Sequence, residues 1–121
     1  LDYVGVLAVE MFVVPGPNGP TLLVNEIAPR VHNSGHWTLD GASISQFEQH
    51  IRAVAGWPLG KPVRHSAVTM TNLIGDDILD YERWLTVPGA TVHLYGKGAP
   101  RPGRKMGHVT EVHVTETKGR D

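Results

Sequence analysis

The chain has no cysteine, which excludes disulfide staples and thiolate metal sites and fits a cytoplasmic setting. No apolar run approaches the roughly 20 residues of a membrane-spanning helix, and no stretch reads as a signal peptide. Neither sign of charge dominates. The formal net charge is -1, so no broad basic field points to nucleic acid. Internal repeats and low-complexity segments are also missing. What remains is an ordinary globular composition over 121 residues, enough for one domain or two small lobes, with seven histidines that leave the charge sensitive to mild acidity. The chain opens on Leu1 and enters a strand-like run almost at once. That start reads as the C-terminal piece of something longer.

The most informative local feature is the turn-forming run Pro15-Gly16-Pro17-Asn18-Gly19-Pro20 between two β-rich segments, Val4–Val14 and Thr21–Ile27. Together they predict an antiparallel hairpin. Glu10 and Glu26 are equidistant from Asn18, so a symmetric register sets the two carboxylates opposite one another on one face. Like charges in that position repel unless a cation lies between them, and Mg²⁺ is the natural candidate. The other face of the first strand (Gly5, Leu7, Val9, Met11, Val13) is apolar and is expected to pack on a core, while Leu22, Val24 and Glu26 are expected to share a face of the second. Two exposed acids on a solvated sheet are the ordinary alternative for any hairpin. Here the thirteen residues from Asn25 to Trp37 carry an acid, an arginine, two histidines, two amides and a hydroxyl. A buried strand would need a partner for each, so this reads as a strand running into a loop whose side chains converge on a ligand.

Further along, Thr38–Gly41 reads as a connector. A helix is predicted over Ser43–Ala55, capped by Ser45 with Glu48, or by Ser43, with an apolar stripe of Phe47, Ile51, Val54 and Ala55 and a stop at Gly56. Trp57–Pro62 is a linker by composition, and divides the chain into lobes 1–60 and 61–121. The second lobe reads as a strand near Ser66–Leu73, a short helix capped by Asp76 or Asp77, a strand at Thr91–Tyr95 and a last strand at Met106–Val114, with a polar, frayed tail from Thr115. The fold class is α+β: a hairpin plus helix, then a small β-rich lobe.

Arg30 offers a guanidinium fork suited to an anion, or a cap for carbonyls. His32 and His36 are four apart, but Pro29 and Gly35 break any shared helical face, so hydrogen bonding suits them better than zinc. His50, His65, His93 and His113 carry no partner motif and read as surface or packing residues. The loop Gly96–Arg104, with Lys105 beside it, projects four cations (Lys97, Arg101, Arg104, Lys105) from a Gly/Pro-rich backbone. It is a solvated basic turn or a phosphate clamp. A Walker loop it is not, since the glycine spacing and following Ser/Thr are missing.

These residues together resemble the C-terminal part of the 5-(carboxyamino)imidazole ribonucleotide synthases, an ATP-grasp family of purine biosynthesis. The resemblance spans nearly the whole chain. It is carried by Glu10-Met11-Phe12, Asn25-Glu26-Ile27-Ala28-Pro29-Arg30, His32-Asn33-Ser34-Gly35-His36-Trp37-Thr38, Phe47-Glu48-Gln49-His50 with Arg52-Ala53, Met70-Asn72-Leu73-Gly75, His93-Tyr95-Gly96-Lys97, and Arg101-Pro102-Gly103-Arg104-Lys105-Met106-Gly107-His108. Related carboxylases and transformylases typically carry Asp-Thr-Gly where this chain reads Asn33-Ser34-Gly35-His36. The resemblance implies a ligase that uses ATP and bicarbonate, through carboxyphosphate, to carboxylate the amine of aminoimidazole ribonucleotide. It implies that Glu10 and Glu26 hold Mg²⁺ and that Asn25 and Glu26 lie in the ATP site. Arg30, His32 and Asn33 would border the reacting centre as catalytic groups, with Ser34 beside them at the substrate, and Lys97, Arg104 and Lys105 would meet the 5′-phosphate. A cytoplasmic homodimer, bound to neither membrane nor nucleic acid, is also implied. The family's first half is not in this sequence, so the chain alone is expected to be inactive. A stand-alone anion- or nucleotide-binding module without catalysis is the alternative.

Overall fold

In a computed structural model, which describes residues 2–113, the chain is α+β with two antiparallel sheets. Strands β1 (Ala8–Val14) and β2 (Thr21–Ala28) form the hairpin, its turn closed by a hydrogen bond of 3.1 Å from Gly19 N to Gly16 O. A 3-10 turn at Asn33–Gly35 leads into a one-turn helix α1 (Thr38–Gly41) and then α2 (Gln46–Val54). The segment expected to be only a connector is therefore helical. Ser45 caps α2 as its sequence spacing predicts, its side chain accepting from Glu48 N at 3.1 Å, and Gly56 leaves the helix at φ +67°. Among the described residues no helix is long and apolar enough to cross a membrane.

The second sheet has the order β3-β5-β4, from β3 (Ala67–Ile74), β4 (Ala90–Leu94) and β5 (Lys105–His113). A kinked 3-10 segment, Gly75–Thr86, joins β3 to β4, with Asp77 Oδ2 accepting from Ile74 N at 3.0 Å. Gly75 makes that corner possible. It sits at φ +56°, where a Cβ is strongly disfavoured, and its N–H donates to Arg104 O at 2.8 Å. The last strand ends at His113 among the described residues, and the expected continuation to Val114 and the polar tail lie outside them.

The core centres on β5. Met106, His108, Val109 and Thr110 are buried there, together with Leu73 of the adjoining strand. The chain between α2 and β3 is no free tether: Val63 O accepts from Ser43 N at 2.9 Å, and Gly41 O from His65 N at 3.0 Å. The packing expectation for the first strand fails. Val9, Met11 and Val13 are exposed, as are Ile51 and Val54 of the α2 stripe. A two-stranded ribbon cannot bury either of its own faces, and among the described residues no other element packs extensively on this hairpin.

Candidate active site

The hairpin register does set Glu10 opposite Glu26. It does so by a different route from a symmetric turn. Between Glu10 and Met11 the register shifts, so that Met11 faces Val24 and Phe12 faces Leu23. Asn25 is the extra residue of a bulge. Leu23, rather than Leu22 or Val24, therefore continues the face of Phe12, because one inserted residue reverses the side-chain alternation on one side of it. The bulge also turns the Asn25 amide onto Glu10, with Nδ2 donating to Oε1 at 2.6 Å.

One ligand atom from each of Glu10, Glu26 and His32 lies within 4.8 Å of the other two. His32 caps the 3-10 turn; its Nδ1 accepts from the backbone N–H of Ser34 at 3.3 Å and meets Ser34 Oγ at 2.8 Å. With Nδ1 an acceptor, the proton of the neutral ring sits on Nε2. That nitrogen lies 3.1 Å from Glu26 Oε1 and 3.4 Å from Glu10 Oε2. The imidazole is buried while both carboxylates are exposed. His32 thus holds the acids from the protein side and leaves their outer lone pairs toward solvent. Two oriented carboxylates with open lone pairs fit a hard divalent cation such as Mg²⁺.

Beyond these groups opens a cavity of about 900 Å³. Glu10, Glu26, Arg30, His32, Asn33, Ser34, Lys97 and Lys105 all line it, so most of the sequence-predicted set meets in one place. Asn33 Oδ1 is buried and has no partner among the described residues. Asn25 and Arg104 do not line the cavity. The first is occupied with Glu10, and the second is anchored through its backbone to Gly75 and Arg101. Arg30 Nη1 donates to Val31 O at 3.0 Å. Lys97 lies 5.1 Å from the centre of the Tyr95 ring and donates to Lys105 O at 2.9 Å.

An aromatic wall of this cavity was not foreseen. His36, Phe47, His93 and Tyr95 line it, and His108 lies behind them, stacked on His93 at 4.5 Å and beside His36 at 5.2 Å between ring centres. The reading of His93 as a lone surface or packing residue is corrected: its Nε2 hydrogen-bonds Asp40 Oδ2 at 2.8 Å, a partner 53 residues away that no local motif reveals. Burial, then the charges of Lys105, His32 and His93, lowers the pKa of His36. His108 is pushed down to about 4, chiefly by burial and then by His93 and His36, with Asp40 opposing. Burial raises the Tyr95 phenol, whose oxygen meets His108 Nδ1 at 2.7 Å. His50, His65 and His113 stay away from the cavity, paired with Val6 N, Ser66 and Thr69.

Residues 1–47 match the ATP-grasp domain family, and residues 68–120 match the phosphoribosylaminoimidazole carboxylase C-terminal domain. The N5-carboxyaminoimidazole ribonucleotide synthase of Brucella melitensis biotype 1 is 61% identical over 112 residues, covering 93% of this chain and 30% of that protein. The crystal structure of carboxyaminoimidazole ribonucleotide synthase from Aspergillus clavatus complexed with ATP superposes with a TM-score of 0.82 at 40% identity, over 90% of this chain and 30% of that one. A second Aspergillus clavatus structure, in complex with ADP and 5-aminoimidazole ribonucleotide, gives a TM-score of 0.80 at 40% identity with the same coverage. The chain spans about 30% of the length of these relatives.

Proposed function

Because this chain is similar in sequence and fold to part of the N5-carboxyaminoimidazole ribonucleotide synthases, we propose that it supplies the metal-binding carboxylates and much of the substrate pocket of such a ligase. The intact protein would convert ATP, bicarbonate and aminoimidazole ribonucleotide to the carboxyamino ribonucleotide, ADP and phosphate. One observation carries the reading: Glu10 and Glu26, backed by His32, converge at a cavity that also receives Arg30, Lys97 and Lys105.

Glu10 and Glu26 would hold Mg²⁺, which when bound supplies charge neutralisation on the ATP phosphates. Asn25 fixes the Glu10 carboxylate through its 2.6 Å bond and thereby acts on the nucleotide site indirectly. Arg30 presents a fixed positive charge to bicarbonate and to the phosphoryl group being transferred. Asn33 Oδ1, buried without a partner among the described residues, suits an N–H of the exocyclic amine. Lys97 and Lys105 would take the 5′-phosphate, with Ser34 at the same substrate and Arg104 as a further cation from the loop. Cytoplasmic location and a homodimer belong to the same proposal.

The test is turnover in the full-length protein. Glu26→Gln should abolish ADP release driven by bicarbonate and ribonucleotide while leaving the far-UV circular dichroism unchanged; activity equal to the parent would remove Glu26 from the mechanism. The chain by itself should show no carboxylation, and robust turnover would overturn that. A simple anion-binding module is the competing reading, favoured only by the cations. It predicts ligand binding that is independent of Mg²⁺.

A further inference from the structure

His36 stands on the aromatic wall, four residues beyond His32, and nothing above assigns it a role. Its state is set by Gln46, the first residue of α2. Gln46 Oε1 accepts from the backbone N–H of His32 at 3.0 Å, and Gln46 Nε2 donates to the carbonyl of His32 at 2.7 Å. A backbone N–H can only donate and a carbonyl can only accept, so this pair fixes which end of the amide is nitrogen. The same Nε2 lies 2.7 Å from His36 Nδ1. His36 Nδ1 must then accept, and the ring proton belongs on its Nε2. The amide has little freedom to turn: Thr38 Oγ1 accepts from Gln46 N at 3.0 Å, and a Cβ on Gly35 would stand 2.6 Å from Gln46 Oε1. No acceptor among the described residues meets His36 Nε2.

We propose that Gln46 is a positioning residue that locks His36 as the neutral Nε2–H tautomer, and that His36 is thereby the uncharged hydrogen-bond donor which the cavity offers to the unprotonated ring nitrogen of the imidazole nucleotide. The choice of acceptor rests on the function proposed above; the tautomer lock does not. A neutral donor suits a neutral lone pair, while the neighbouring cations suit the phosphate. Phe47 and Tyr95, which line the same cavity, offer apolar ring surface beside that donor to a heterocycle. Burial works in the same direction, since it disfavours the charged imidazolium.

The experiment uses full-length protein labelled with ¹⁵N-histidine. At neutral pH, long-range ¹H–¹⁵N spectra should show His36 with a protonated Nε2 and a bare Nδ1. Gln46→Glu should move the proton to Nδ1. It should also raise the KM for the ribonucleotide roughly tenfold, the effect of one lost hydrogen bond. His36→Phe should do the same, whereas His36→Gln, which keeps an N–H donor near the Nε2 position, should recover most of the affinity. A wild-type His36 found protonated on Nδ1, or on both nitrogens, overturns the lock. A ribonucleotide KM untouched in His36→Phe overturns the binding role. Wild-type protein that never carboxylates the ribonucleotide would defeat the proposed function instead, and the nitrogen shifts would still decide the tautomer.

Discussion

Asp40 is where the one-turn helix meets the second sheet, and removing its carboxylate tests how the two are joined. Its Oδ2 accepts from His93 Nε2 at 2.8 Å and from the hydroxyl of Thr110. Thr110 is 0% exposed, so Asp40→Ala leaves a donor that water cannot reach. A buried group stranded in this way costs about 1–3 kcal/mol. His93 has 26% of its side chain exposed, so solvent makes good part of its loss and it adds less. A total of about 2–3 kcal/mol follows. At a urea dependence of roughly 1–3 kcal/mol per molar for a domain of this size, the unfolding midpoint should fall by about 0.7–3 M. The assay is equilibrium urea unfolding followed by tryptophan fluorescence. Thr110→Val supplies the control, because it removes the stranded hydroxyl without changing shape. In the double variant Asp40→Ala/Thr110→Val the loss should be smaller than the sum of the single losses by about 1 kcal/mol or more. Additive losses, or a single-variant midpoint within about 0.3 M of the parent, would refute the account.

Three other outcomes are expected. The folded-state pKa of His108, about 4, lies below its ordinary value of 6.5. Its contribution is therefore complete above pH 6.5, shrinks as the pH falls through 6.5 to 4, and shrinks no further below that. The total is roughly 3 kcal/mol, and thermal melts of wild type and His108→Gln across the window should converge toward acid; parallel curves would exclude it. Gly41→Ala drives a Cβ into Val68 and should cost about 1–3 kcal/mol as overpacking, read as a lower melting temperature; an unchanged value would mean that the helix end can shift freely. Lys97→Ala in the full-length protein should weaken ribonucleotide binding by about 1.5–3 kcal/mol with ATP binding spared, and calorimetry with each ligand would reveal the opposite pattern if the loop serves the nucleotide triphosphate.

The hairpin, the cap on α2, the strands of the second lobe and the acidic pair were legible in the residues because each depends on neighbours close along the chain. Turn residues limit register, Ser45 reaches only to Glu48, and alternation marks strands whatever covers them. Reading the face of Leu22 and Val24 failed for a local reason as well. A bulge at Asn25 costs one residue and leaves no compositional mark beside a polar strand end.

Burial and the second wall of the cavity were another matter. An apolar stripe such as Val9-Met11-Val13 shows what a strand could bury, and only the full set of neighbours decides whether anything covers it; here those side chains are exposed. His93 carried no signal for Asp40, and neither His36 nor Gln46 announced the other, because hydrogen bonds between distant segments leave no spacing to read. The amino-acid order by itself determined which groups this protein owns, two acids about a tight turn and a histidine-rich loop beyond them. Tertiary packing alone decided which of those groups face one another, because proximity between remote residues is a property of the folded chain as a whole.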